Sequence, residues 1–238
     1  LNKNKLPTKT RLDRFISQKK KLNKRDVRLI LAQKRVIVDG EIANDIQQII
    51  LPFTSVIFDG ETLQTNQSCY IMMNKPIGVV SATTDVQHKT VVDLLDHPLK
   101  KSLHITGRLD LNSSGLLLLT NDSIWSRKLS LPDQKVTKVY HVTTQNPIDK
   151  ECINTFKTGI HFSYEDIITK PVDLKIIDPY TAELRLIEGR YHQIKRMFGR
   201  HRNPVLKIHR LSIGQIELDP SLSLGESRSL NQSEINIL

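Results

Sequence analysis

Two cysteines, Cys69 and Cys152, are the only thiols in 238 residues. They show no metal-ligand spacing, and a chain of this size needs no disulfide staple, so reduced thiols in a cytoplasmic protein are expected. Long apolar runs are also missing: none approaches the roughly 18 residues of a membrane span. No apolar stretch follows the basic start of the chain, so no secretory leader is expected. Acidic residues are scarce in one region only. Residues 1–40 hold thirteen Lys and Arg against three Asp, while the remaining chain holds 22 bases and 22 acids, so the whole formal charge of +10 lies in the first forty residues. A basic module on a neutral body is the footprint of polyanion binding. A merely solvated tail would lack apolar periodicity, and this stretch has it.

Residues 1–9 read as a flexible basic arm. From Arg11 onward, Leu12, Phe15 and Ile16 follow helical spacing. Asn23 can cap a second helix, in which Val27, Ile30 and Leu31 share a face. The opposite faces carry Lys and Arg. Val36-Ile37-Val38, Asp39-Gly40 and Glu41-Ile42 read as a hairpin with a tight turn, and Val56-Ile57-Phe58-Asp59-Gly60-Glu61 repeats the pattern. Leu63 to Ser68 is polar and reads as a linker.

Tyr70 to Asn74 reads as a strand ended by Lys75-Pro76-Ile77-Gly78. The pattern predicts a short helix over Thr90–Leu95 and a helix over Asp122–Ser130 with Trp125 and Leu129 turned to the core. Lys138 to Thr143 alternates, so Lys138, Tyr140 and Val142 share one strand face. A helix over Asp149–Lys157, capped by Asp149, stops near Gly159. Ala182 to Ile187 reads as a strand, turned by Glu188-Gly189 into a basic helix over Arg190–Phe198. Pro204–Arg210 and Ile213–Leu218 read as two further strands.

One stretch organises the rest. Gly115 to Thr120 is a short apolar run bounded by polar turn residues, which reads as a buried strand. Before it lies a polar loop, Gly107-Arg108-Leu109-Asp110-Leu111-Asn112-Ser113-Ser114, with Arg108 and Asp110 wedged between apolar segments. A charged loop clamped to a buried strand can hold reactive groups rigidly. On the residues alone it reads equally as a surface turn with a local Arg–Asp pair.

Gly107-Arg108-Leu109-Asp110 followed by Ser-Gly-Leu-Leu-Leu-Leu-Thr-Asn-Asp resembles the signature of the pseudouridine synthases of the RsuA type, which isomerise uridine in ribosomal RNA. One position departs: the family continues with Gly where Ser123 stands. The resemblance covers about residues 10–235. It implies that Asp110 is the catalytic aspartate and Arg108 its companion. Lys138-Val139-Tyr140-His141-Val142 resembles the segment whose Tyr packs under the target uracil, which assigns that place to Tyr140; the residues alone favour a core tyrosine. Strand Ala182–Ile187 and Gly189-Arg190-Tyr191-His192-Gln193-Ile194-Lys195 resemble the third family motif. Lys195 matches the base that pairs with the catalytic carboxylate, and Leu186 an apolar pocket residue. His192 has no second His or Cys at ligand spacing on its helix, so a structural or RNA-contacting role is expected there and no metal site. Asn74-Lys75-Pro76-Ile77-Gly78 resembles the opening of the catalytic domain, and Gly225–Leu230 its closing segment.

Two basic helices followed by Val-x-Val-Asp-Gly resemble the S4 RNA-binding domain. It would lay Arg11, Arg14, Lys24, Arg25, Arg28, Lys34 and Arg35 on RNA phosphates, with Arg190, His192 and Arg196 as further RNA contacts. The implied architecture is α+β: a flexible arm (1–9), a small S4 (αL-like) domain (10–62), a linker (63–68), and a catalytic domain (69–238) with a mixed, mostly antiparallel sheet flanked by helices. The implied reaction isomerises a uridine of small-subunit (16S) rRNA after base flipping. It oxidises nothing and imports no group, so no metal or organic cofactor is expected. The expected partner is rRNA or a small-subunit assembly intermediate, met by a monomer away from any membrane. Two alternatives remain: a large-subunit (23S) rRNA pseudouridine synthase, and a non-catalytic rRNA-binding assembly factor.

Overall fold

The computed structural model describes residues 9–65 and 67–237. The expected arm, 1–9, lies outside the described residues except for Lys9. Two compact units divide at Ser68 and Cys69.

In the first unit, helices Leu12–Lys20 and Lys24–Ala32 bury Leu12, Phe15, Ile16, Val27, Ile30 and Leu31 against Val36, Val38, Ile50, Val56 and Phe58. The first helix stops where Lys21 adopts a left-handed backbone (φ 54°). The second starts where the Asn23 side chain accepts the Asp26 N–H at 2.9 Å, as its sequence position predicts. A four-stranded antiparallel sheet runs Glu41–Ile42, Val36–Val38, Val56–Phe58, Glu61–Gln64 in spatial order. Its two tight turns place Asp39-Gly40 and Asp59-Gly60 at positive φ, the twist that two-residue hairpins favour. The linker reading of Leu63–Ser68 begins too early. Leu63 and Gln64 end a strand, and the buried Gln64 amide donates to the Leu51 and Thr54 carbonyls, both at 2.8 Å.

The second unit is built on a nine-stranded mixed sheet. Its main path is Asp173–Asp178, Thr181–Leu186, Lys138–Thr144, Val205–Ile213, Ser114–Thr120, Tyr70–Lys75, Ser227–Ser229; His104–Thr106 and Ile216–Glu217 pair at its sides. Neighbours run antiparallel except where Ser114–Gly115 meets His209–Arg210 in parallel. Strand Ser114–Thr120 is buried along its whole length because both faces are covered. Leu117 and Leu119 enter one core with Tyr140, Leu184, Met197 and Phe198; Leu116 and Leu118 enter a second with Met72, Trp125 and Leu129. A strand buried on both sides shows a continuous apolar run in place of an alternating one. Helices Ser123–Ser130, Glu151–Thr158, Gln193–Arg200 and Gln232–Asn236 flank the sheet. No helix among the described residues is long and apolar enough to cross a membrane.

Three local expectations differ from the structure. Thr90–Leu95 forms turns and no helix, because the Asp93 carboxylate accepts both the N–H and the hydroxyl of Thr90 at 2.8 Å and closes the chain on itself. The two strands expected over Pro204–Arg210 and Ile213–Leu218 are present with other bounds: the first runs Val205–Ile213, and after a turn at Gly214 the second, Ile216–Glu217, pairs back on it. The basic helix begins at Gln193, three residues later than Arg190. Glu188 is buried and accepts from the Lys170 N–H at 2.9 Å, the Gln193 amide at 2.7 Å and the Arg190 guanidinium at 3.1 Å. That network holds residues 188–192 as a loop, with His192 in a left-handed conformation (φ 48°).

Candidate active site

Loop Gly107–Ser113 is held almost wholly through its backbone. Ser81 Oγ donates to the Leu109 carbonyl at 2.7 Å and accepts the Leu109 N–H at 3.1 Å. The Gly78 N–H donates to the Leu111 carbonyl at 2.9 Å. Two buried cations complete the frame. Lys75 Nζ donates to the carbonyls of Pro76 (2.9 Å), Asp110 (3.1 Å) and Ser113 (2.8 Å). Arg210 donates to those of Leu116 (2.8 Å), Gly107 (2.7 Å) and Arg108 (3.4 Å). Each of the two cations thus donates to three backbone carbonyls, so burial of the two charges is matched by hydrogen bonds. The sequence marks neither residue as functional. Lys75 stands in a family-like motif, and Arg210 looks like one more surface base on a strand.

Burial pulls the Lys75 ammonium down to about 8, with Arg210 adding to the effect and Asp110 opposing it. The sign follows from linkage. Between about pH 8 and the ordinary 10.5 the unfolded chain keeps the proton and the folded chain releases it, so Lys75 makes stability rise with pH across that window. Thermal melts of wild type and Lys75→Met at pH 7.5 and 9.5 check this. The variant is expected to be less stable at both, since its three carbonyls lose their donor, and the gap is expected to widen at the higher pH.

Asp110 projects from this frame into a cleft of about 540 Å³ lined by Val80, Arg108, Tyr140, Leu186, Tyr191, His192 and Ile208 among others. Its carboxylate is about one-third exposed, and His192 Nε2 lies 3.6 Å from Oδ2. Tyr140 and Leu186 are buried on neighbouring strands and form apolar wall. The Arg210 guanidinium lies 6.0 Å from the centre of the Tyr140 ring. Arg108 is exposed at the mouth. The structure thus brings Asp110, Arg108, Tyr140, Leu186, Arg190 and His192 to one cleft.

Lys195 is not in it. The ion pair with Asp110 that the resemblance implies is absent among the described residues. Lys195 lines a second recess with Ile77, Asn112, Val205, Leu206, Lys207 and Ile208. The late helix start explains the difference: the loop before Gln193 carries His192 to the carboxylate, and Lys195 falls on the next side of the helix. The Tyr191 ring, 75% exposed, stacks on His192 with centroids 3.9 Å apart. Arg196 is engaged by Glu165 at 2.6 Å and lies 3.6 Å from the centre of the Phe162 ring; Arg190 pairs with Glu188.

In the first unit, Arg11 pairs with Asp13 at 2.7 Å, and Arg35 donates to Asp59 at 2.7 Å. Arg14, Lys24, Arg25, Arg28 and Lys34 are exposed and form no ion pair with a described residue. They remain available to an anionic partner.

The family model described as RNA pseudouridylate synthase matches residues 69–199. Ribosomal small subunit pseudouridine synthase A of Pseudomonas aeruginosa is 47% identical over 94% of this chain and 98% of its own length. The protein of the same name from Escherichia coli K12 is 40% identical over the same shares. A crystal structure described as a pseudouridylate synthase superposes with a TM-score of 0.70 at 37% identity, covering 96% of this chain and all of that one.

Proposed function

We propose that this chain, which belongs to the RNA pseudouridylate synthase family, isomerises a uridine of small-subunit (16S) ribosomal RNA to pseudouridine. The reaction breaks the N1–C1′ bond, forms C5–C1′ and moves the C5 proton to N1, so the atoms balance within the nucleotide. The observation that carries the reading is one carboxylate, Asp110, projecting into an aromatic and aliphatic cleft from a loop whose backbone two buried cations fix. Pre-set geometry of this kind serves a reaction in which one group acts on the ribose and the base is otherwise only held.

The roles follow from position. The uridine leaves its stack at a cost of a few kcal/mol, and Arg108 at the mouth contacts the phosphates around it. Tyr140, Leu186 and Ile208 hold the uracil by its faces, which lets it rotate after release without leaving the cleft. The Asp110 carboxylate serves the ribose, as nucleophile on C1′ or as base at C2′; both routes begin with its ionised form. His192 lies against that carboxylate before the substrate enters. The assignment of the small subunit rests on the likeness to synthases named for it, over nearly the whole chain. Incubating the protein with separated, unmodified small- and large-subunit rRNA and mapping the product tests it: pseudouridine is expected in the small-subunit RNA, and its appearance only in the large-subunit RNA favours the alternative reading.

The first unit acts in this proposal as an S4-type module that grips RNA phosphates. Such contacts supply affinity more than sequence choice and make binding salt-dependent. Replacing Arg14, Arg25, Arg28 and Lys34 together by Gln is expected to weaken RNA binding at least about tenfold near physiological salt. It is also expected to flatten the slope of log affinity against log salt by about one for each phosphate no longer neutralised. Turnover on saturating RNA is expected to stay near wild type. An unchanged salt slope removes this face from the RNA interface.

A further inference from the structure

We propose that the recess beside the cleft is a second nucleotide subsite, which holds the nucleotide adjoining the target uridine in the RNA strand. The inference rests on the reading of the chain as an RNA-modifying synthase and extends it to a surface outside the catalytic cleft. The recess encloses about 280 Å³ and adjoins the cleft directly: Ile208 lines both, and Asn112 lies two residues beyond Asp110 on the same loop.

Its chemistry is that of a nucleotide. Ile77 and Leu206 are 52% and 58% exposed and line the same recess, so they offer it aliphatic surface of the kind that a base face covers. Both stand on held backbone, Ile77 next to Gly78, whose N–H donates to the Leu111 carbonyl, and Leu206 in a sheet strand. Lys195 and Lys207 line the same recess, and no acidic residue lines it. Four arginines of this unit are ion-paired, Arg185 with Glu183, Arg190 with Glu188, Arg196 with Glu165, and Arg228 with Asp219 and Glu234, whereas the exposed Arg108 of the neighbouring cleft forms no ion pair with a described residue. Lys195 and Lys207 form no ion pair with a described residue. Two lysines without an ion pair beside exposed aliphatic side chains, at a recess next to the place of a flipped base, match a phosphate and the base it carries.

Lys207→Gln and Leu206→Ala test the subsite, because both side chains are exposed and neither belongs to the catalytic cleft. Binding of a small-subunit rRNA fragment is read by fluorescence anisotropy, which needs no turnover. The double variant is expected to bind about tenfold more weakly, the scale of one stacked base together with one neutralised phosphate. It is also expected to lower the salt slope by about 0.7, the single-strand value for one phosphate. With the target uridine mapped, an RNA abasic at one flanking position is expected to abolish the effect of Leu206→Ala, while an abasic site at the other flank preserves it. Wild-type affinity in the double variant, or an equal loss on both abasic RNAs, overturns the subsite. Failure of wild type to form pseudouridine in small-subunit rRNA overturns the substrate reading instead, and the anisotropy result stands apart from it.

Discussion

Asp110→Asn is expected to lower pseudouridine formation by at least about a hundredfold, the scale on which loss of a group acting on the reacting atoms is read. The amide keeps the size of the carboxylate and loses its charge. Fold and RNA affinity are expected to survive, because loop Gly107–Ser113 is held by carbonyls and N–H groups and not by the Asp110 side chain. A melt within about 0.5 kcal/mol of wild type, the usual range for a surface substitution, accompanies that prediction. Turnover above about a tenth of wild type under single-turnover conditions would remove Asp110 from direct action on the ribose.

The second large effect concerns stability. Gly115 has φ +103°, and a Cβ there would stand 2.3 Å from the Arg210 carbonyl oxygen and 2.5 Å from its nitrogen. Both atoms are backbone of the strand paired with Gly115. Gly115→Ala therefore combines a backbone strain of about 1–3 kcal/mol with overpacking of about 1–3 kcal/mol. It also pushes Arg210 away from the loop carbonyls that it holds. The expected result is a loss of about 2–6 kcal/mol in denaturant unfolding, with isomerisation falling even in the fraction that remains folded. Gly225→Ala provides the comparison: its φ is +92° but nothing lies within 4 Å of the added carbon, so only the strain is expected. Equal losses at the two positions would show that the close approach at Gly115 does not matter.

The elements legible in the sequence are those specified locally. The capping of Asn23, the two Asp-Gly turns, the apolar run Leu116–Leu119 and the inward Trp125 each depend on a few adjacent residues. The α+β class and the mixed, mostly antiparallel sheet follow from them and from the family likeness. The frame of the site is a different matter. Lys75 and Arg210 lie 135 positions apart and converge only because three strands bring them to one loop. Charged residues default to the surface, so nothing in composition or spacing marks these two as buried. The start of the helix at Gln193 is equally hidden, since it depends on the buried Glu188 carboxylate meeting Gln193 and Lys170. That displacement puts His192, read from the sequence as a structural or RNA-contacting residue, beside Asp110, and sends Lys195, read as the ion-pair partner, to the neighbouring recess.

The central claim joins one carboxylate to one modified position in small-subunit rRNA. It is tested most directly by mapping pseudouridine through both rRNAs in cells lacking this protein, and again after restoring either the wild-type chain or Asp110→Asn. The account predicts that a pseudouridine in small-subunit rRNA disappears, returns with wild type and stays absent with Asp110→Asn, while the large-subunit map is unchanged. A small-subunit map unaltered by loss of the protein, or a position restored equally by Asp110→Asn, would contradict it.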